Sequence, residues 1–359
     1  MLYQYERPVT TLTLAIAIVM AFVFAVSALV TYQLTRAGSR QWLLDHPNER
    51  SLHHRPTPRS GGLAITLGIL VGGVGVGITT SVPDELIWLG VGSLNIVAVS
   101  FLDDLSHVHP AIRISVHFFV ALMLVFAGLA IDAVELPGMQ WHLLPWLGIA
   151  ITCLYVAWLI NLYNIMDGMD GFAGGMAVVG FGTFALLGAL AGQTVFAGLC
   201  GVIAAANAGF LPFNFPPARI FMGDAGSSLL GFLTAGLSLW ASQQRIFPLW
   251  IAVLVFSPFI VDATVTLGCR MWRRERVWEG HKSHCYLRLV QLGWGHRKSV
   301  LWEHGLMLLC ALSALAAFYL TPALQWSLFV AWVFVYVILI ALVNRLEGRI
   351  RSNETVESL

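Results

Sequence analysis

The stretch Leu147-Gly-Ile-Ala-Ile-Thr-Cys-Leu-Tyr-Val-Ala-Trp-Leu-Ile-Asn-Leu-Tyr-Asn-Ile-Met-Asp-Gly-Met-Asp-Gly171 decides the fold. Its first part belongs to an apolar run over about 143–162, long enough to cross a bilayer as a helix. Its last part turns abruptly to Asn164, Asp167, Gly168, Asp170 and Gly171. An uncharged helix that stops at carboxylates and glycines marks a membrane edge. The whole chain has that character: of 359 residues, 58% are hydrophobic and 11% charged, against about 25% charged in ordinary soluble domains. Such a chain cannot cover a globule in water. With a net charge of +1 it has no basic field for a polyanion. A soluble enzyme, a disordered protein and a nucleic-acid-binding module are therefore excluded.

Working outward, apolar runs recur near 10–32, 61–80, 86–102, 112–131, 143–162, 174–191, 195–212, 225–242, 248–269, 299–319 and 324–343. The expectation is an all-α integral membrane protein of about 11 transmembrane helices, forming one domain over 1–359. The first run is too long for a signal peptide and lacks a basic flank, so it reads as a retained helix. Cationic residues decide orientation. Eighteen of the twenty lysines and arginines fall on one side, leaving Arg7 and Arg245 on the other. This places the N-terminus outside, with a loop over 270–298 and a tail over 345–359 in the cytoplasm. The cysteines, at 153, 200, 269, 285 and 310, have no C-x-x-C spacing and read as small buried hydrophobes.

Acidic residues escape the orientation rule, so their positions are separate information. Asp103 and Asp104 follow the third run, Asp167 and Asp170 the fifth, and Asp224 precedes the eighth. All five are expected at the cytoplasmic edge, accompanied in their loops only by Arg113 and Arg219. Carboxylates so gathered repel one another and favour a bound cation. Hard oxygen ligands beside phosphates suit Mg²⁺, with Mn²⁺ as a substitute. Helix capping explains Asp224 alone better than it explains Asp103 and Asp104, which close a helix where the dipole disfavours negative charge.

Two further loops face the same side. Arg50-Ser-Leu-His-His-Arg-Pro-Thr-Pro-Arg-Ser-Gly-Gly62 brings cations to the second run, and Glu279-Gly-His-Lys-Ser-His-Cys-Tyr-Leu-Arg288 follows the ninth. In the latter, Ser283 is placed to N-cap a short interfacial helix ending at Gly293. A zinc site on His281 and His284 lacks further ligands. Asp262, inside the ninth run, is the best argument for a transporter, but transporters place their sites near the midplane. A lipid-binding scaffold would leave the acidic cluster unexplained.

R-P-T-P-R-x-G-G, the double Asp, N-x-x-N-x-x-D-G-x-D-G and N-x-x-P-A-x-x-F-M-G-D-x-G-S, in this order within residues 40–300, resemble the polyprenyl-phosphate N-acetylhexosamine-1-phosphate transferases. The resemblance implies an Mg²⁺-dependent reaction at the cytoplasmic face of a bacterial inner membrane. There a UDP-N-acetylhexosamine passes its sugar 1-phosphate to polyprenyl phosphate and leaves UMP. It also implies roles. Asp224 would be the main metal ligand with Asn164. Asn214, Phe221 and Asp170 would lie on the nucleotide side, and Asp167 near the ribose or sugar. Asp103, with Asp104 beside it, would be the base or orienting residue. Arg59, His281 and His284 would face the substrate. Many members carry H-x-H-H after the ninth run; here Ser283-His-Cys-Tyr286 keeps only the first histidine, as in the subgroup that starts O-antigen or related polysaccharides. A homodimer is compatible with this reading.

Overall fold

A computed structural model of the chain describes residues 9–36, 44–45, 56–275 and 283–357. It is a bundle of helices: α1 Val9–Arg36, α2 Gly61–Thr79, α3 Asp84–Ser106, α4 Pro110–Phe126, α5 Pro145–Met166, α6 Phe172–Leu190, α7 Thr194–Asn214, α8 Gly223–Gln243, α9 Leu249–Val255, α10 Ser257–Trp272, α11 Cys285–Leu289, α12 Gly295–Ala317 and α13 Pro322–Glu357. A kinked segment, Val290–Trp294, with Gly293 at φ +86°, joins α11 to α12. Strands are marginal: β1 Leu44–Asp45 pairs with β2 Thr57–Pro58, and β3 Ala133–Leu136 with β4 Met139–His142, both antiparallel.

Among the described residues, eight helices are long and apolar enough to cross a membrane, with α11 and α12 taken as one. The protein is thus an all-α, multi-pass membrane protein. The expected eleven spans are not all of this kind. Helix α4 is a shorter apolar helix of 17 residues. Helix α8 has the length but is not among the eight; it carries Ser227, Ser228, Thr234 and Ser238, all buried inside the bundle. The run expected as one span over 248–269 is broken into α9 and α10, bent by 82°. Pro258 at the start of α10 is favourable at a helix beginning but removes a hydrogen bond from a continuous one. Ser257 stabilises the corner: its Oγ donates to Leu254 O at 2.7 Å or pairs with the Tyr336 hydroxyl at 2.6 Å.

Helix α8 is the axis, lying against α5, α3 and α2. Small residues allow this, as packing rather than water drives association inside a bilayer. A Cβ on Gly62 would lie 2.7 Å from Gly226 Cα, and one on Gly231 would lie 2.8 Å from Ile160 Cα. Backbone bonds then join α2 to the segment leading into α8: Gly61 N donates to Phe221 O (2.9 Å), Gly62 N to Met222 O (2.7 Å) and Phe221 N to Pro58 O (2.7 Å).

At the far end of α8, about 30 Å away at 1.5 Å per residue, the β3–β4 hairpin closes the bundle. Glu135 Oε2 accepts from Ser242 Oγ (2.8 Å) and Leu249 N (3.2 Å), and Gln243 Nε2 donates to Ala130 O (2.5 Å).

Candidate active site

Three helix ends meet at the start of α8. Gly223 has φ +76°, a conformation that suits glycine, and turns the chain so that the next amides point at the end of α3. Asp104 receives them: Asp224 N donates to its Oδ1 (3.2 Å) and Ala225 N to its Oδ2 (3.1 Å). Asp103 and Asp104 lie inside the last turn of α3, not beyond it. The unfavourable α3 dipole is offset by the positive end of α8 and by two arginines. Arg59 Nη2 donates to Asp104 O at 2.7 Å, with its Nε 3.9 Å from Asp104 Oδ1. Arg113, from the first turn of α4, lies 2.5 Å from Asp103 Oδ2 and 3.7 Å from Asp224 Oδ2.

Helix α5 supplies the other wall. Asn164 Nδ2 donates to Asp224 Oδ1 (2.9 Å) and is 3.1 Å from Ser227 Oγ. Asp167 ends α5. Burial, and the carboxylates of Asp224, Asp104 and Asp170, hold its carboxyl well above the usual aspartate range. Asp170 accepts from Ala218 N (2.9 Å) and lies 3.7 Å from His296 Nδ1.

The structure thus brings Asp103, Asp104, Asp224, Asn164 and Arg59 into one connected set, with Asp167 and Asp170 in electrostatic reach. The other predicted residues are placed differently. Asn214 is buried and tied down: its Oδ1 accepts from Gly171 N (3.0 Å) and its Nδ2 donates to Ile220 O (3.0 Å). It ties the loop before α6 to the loop before α8 rather than presenting a free amide. Phe221 is half-buried in the strap between α2 and α8. His281 lies outside the described residues. His284 is buried, 3.4 Å from Asp262. It is the N-cap position of α11, where Ser283 was expected. Tyr286 and Leu287 of that helix are buried in the bundle. Arg219 stacks over Phe213 at 4.9 Å. Arg113 and His296 were not singled out as site residues. Arg113 had a signal, being one of two cations beside five acids; His296 had none.

Among the described residues no group of three or more His, Cys, Asp or Glu side chains is arranged to hold a metal ion by itself. The donor chemistry nevertheless fits Mg²⁺, which takes one or two carboxylates and fills its shell with water and phosphate oxygens. The Asp224 side chain is 35% exposed, and Asn164 uses only its amide nitrogen toward protein, leaving its carbonyl oxygen for a ligand.

Residues 86–242 match the family model described as glycosyl transferase family 4. The chain is 30% identical over 343 residues to the probable undecaprenyl-phosphate N-acetylglucosaminyl 1-phosphate transferase of Bacillus subtilis (strain 168), covering 94% of each protein. It is 29% identical to the decaprenyl-phosphate N-acetylglucosaminephosphotransferase of Mycobacterium tuberculosis (strain ATCC 25618 / H37Rv), covering 84% of this chain and 83% of the relative. It is 26% identical to the phospho-N-acetylmuramoyl-pentapeptide-transferase of Staphylococcus aureus (strain MSSA476), covering 81% and 94%. With its four motifs gathered around one helix end, and a relative matched along nearly all of both chains, this protein belongs to the polyprenyl-phosphate N-acetylhexosamine-1-phosphate transferase family.

Proposed function

We propose that the chain transfers N-acetylhexosamine 1-phosphate from a UDP-sugar to polyprenyl phosphate at the cytoplasmic face of a bacterial inner membrane, releasing UMP. The observation that carries this is the meeting of three helix ends: Asp103 and Asp224 face the guanidinium of Arg113, and Asn164 bonds the other oxygen of Asp224. Phosphoryl transfer needs charge neutralisation and in-line placement more than covalent work. Mg²⁺, held by Asp224 with Asn164, would neutralise the donor diphosphate and improve UMP as a leaving group.

The chain's own residues do the rest. Asn164 fixes the Asp224 rotamer through Oδ1. Asp104 spends its carboxylate on the first amides of α8, which places it as the group that aims Asp224. Asp103 is engaged by Arg113 at 2.5 Å and accepts from Val108 N at 2.7 Å. Both contacts fix the Asp103 carboxylate in place, and a lipid phosphate, already largely ionised near neutral pH, needs little help from a base. Asp103 therefore orients Arg113 toward the incoming phosphate. Asp167, whose ionisation is disfavoured by burial and by the carboxylates around it, stands on the side proposed for the ribose or sugar.

The full chain, purified with polyprenyl phosphate and Mg²⁺, should release UMP from UDP-GlcNAc or another UDP-N-acetylhexosamine. No UMP from any UDP-sugar would end this reading. A rate that is flat between about pH 6 and 9 supports Asp103 as an orienting group; an Asp103-dependent ionisation in that range makes it the base. A labelled phospho-enzyme trapped without acceptor would instead make it a nucleophile. The single histidine of Ser283-His-Cys-Tyr286 favours initiation of O-antigen or a related surface polysaccharide over peptidoglycan. Side-by-side assays with UDP-GlcNAc, UDP-GalNAc and UDP-N-acetylmuramoyl-pentapeptide decide between them.

A further inference from the structure

Asp262 takes no part in the carboxylate cluster, yet both of its oxygens accept hydrogen bonds. Its Oδ1 accepts from Cys285 N (2.9 Å) and from Thr266 Oγ1 (3.0 Å), its Oδ2 accepts from Tyr286 N (3.2 Å), and His284 Nδ1 stands 3.4 Å away. Thr266 lies one turn further along α10. The broken helix makes this possible. A straight span would carry Asp262 along the bilayer; the 82° bend six residues earlier turns α10 so that Asp262 meets the start of α11.

The contacts are directed as well as numerous. The Asp262 side chain is only 11% exposed, and a buried carboxylate without donors is costly. The two amides of α11 and the Thr266 hydroxyl supply those donors, so the start of α11 is held where Asp262 stands.

What it holds continues to the active site. Tyr286 passes its hydroxyl to Ile165 O at 3.3 Å, between Asn164 and Asp167, and stacks on Phe172, the first residue of α6, with centroids 4.7 Å apart. The His284 and Tyr286 rings lie parallel, 5.8 Å apart. Arg288, at the other end of α11, bonds Glu347 and Asn344 of α13. Helix α11 is too short to hold itself, so these anchors define it.

We infer that Asp262 is a positioning residue, which clamps His284 and Tyr286 to the ends of α5 and α6 and thereby fixes the sugar side of the donor site. This rests on the transferase reading above. Asp262 touches neither the cation nor the phosphates; it acts through the backbone of α11.

Two measurements on the full chain in detergent test it. Hydrogen exchange read by mass spectrometry follows the peptide containing Cys285 and Tyr286. In Asp262→Asn its amides should exchange about tenfold faster, with peptides of α8 unchanged, because a local contact has opened. Kinetics with UDP-GlcNAc, polyprenyl phosphate and Mg²⁺ should show the donor KM raised about tenfold, with the acceptor KM and inhibition by UMP, which has no sugar, within about twofold. Thr266→Val removes one donor to Asp262 and should move both readouts in the same direction by about two- to threefold, and it decides the matter if Asp262→Asn does not fold. Exchange and donor KM unchanged would overturn the clamp, as would equal loss of donor, acceptor and UMP affinity. If the wild-type chain turns over no UDP-sugar, the transferase reading fails, while the exchange experiment still reads the clamp alone.

Discussion

The two ends of α8 are built from similar polar residues to opposite purposes. At the Gln243 end, Ser242 and Leu249 N converge on one oxygen of Glu135, and Gln243 finds Ala130 O. One carboxylate serves two donors and closes a hairpin against the bundle. At the Gly223 end, Asp103, Asp104, Asp167, Asp170 and Asp224 approach one another with Arg59 and Arg113 between them. There, like charges are held together instead of being dispersed. The first end pairs its carboxylate with donors of the fold; the second gathers more carboxylates than cations. An excess of one charge sign, not polarity itself, separates the working end from the structural one.

That contrast can be broken by experiment. The largest effect should come from Asp224→Asn, which keeps the shape but removes the central charge: turnover should fall about a thousandfold or more, with the thermal unfolding midpoint unchanged or higher. A large loss of stability would mean that Asp224 belongs with Glu135. Next is Gly62→Ala, whose Cβ would meet Gly226 Cα at 2.7 Å. Overpacking should destabilise by about 2–3 kcal/mol in thermal unfolding and lower turnover with it, since α2 and the Asp224 turn share backbone bonds. Smaller still is Asp104→Asn against Glu135→Gln. Each weakens a cap or anchor by about 1 kcal/mol, but only Asp104→Asn should also lower turnover more than about tenfold.

The smallest effect concerns Asp167. Its raised pKa means that ionisation is disfavoured in the folded chain. Its contribution to stability is therefore complete below the ordinary aspartate value of about 3.9 and is lost as pH rises through the folded value. Asp167→Asn keeps the neutral form. Relative to wild type, it should gain stability steadily with pH across that window in metal-free buffer, and equal melting curves at every pH would remove Asp167 from the cluster.

Much of this was legible beforehand, for a physical reason. In a chain with few charges, a carboxylate at a helix edge is conspicuous, and Asp103, Asp104, Asp167, Asp170 and Asp224 stood out on that ground. Their division of labour did not. Whether Asp104 faces a ligand or the amides of α8 depends on α3 and α8 meeting 120 residues apart, and no local pattern encodes that. The break at Phe256 had a visible cue in Ser257-Pro258, which an average over an apolar run conceals. Helix α8 read as one more span on its apolar content, and hydropathy says nothing of where its hydroxyls go, such as Ser238, which pairs with Tyr155 at 2.8 Å inside the bundle. The short helix after residue 283 was foreseen, but its cap came from Asp262, 22 residues before His284, and drew the helix inward.

The strap that bonds Gly61 and Gly62 to Phe221 and Met222 also bears on how the protein is made. Its halves are separated by some 160 residues, nearly half of the chain. A ribosome must deliver α2 to the membrane and then α3 to α7 before α8 exists to receive it. The active site is thus among the last parts of the bundle to assemble, and truncated chains ending before α8 would be inserted, helical and inert. Separately expressed fragments divided in the Gly192 turn between α6 and α7 would acquire activity only on pairing, which turns enzymatic turnover into a direct report of membrane assembly.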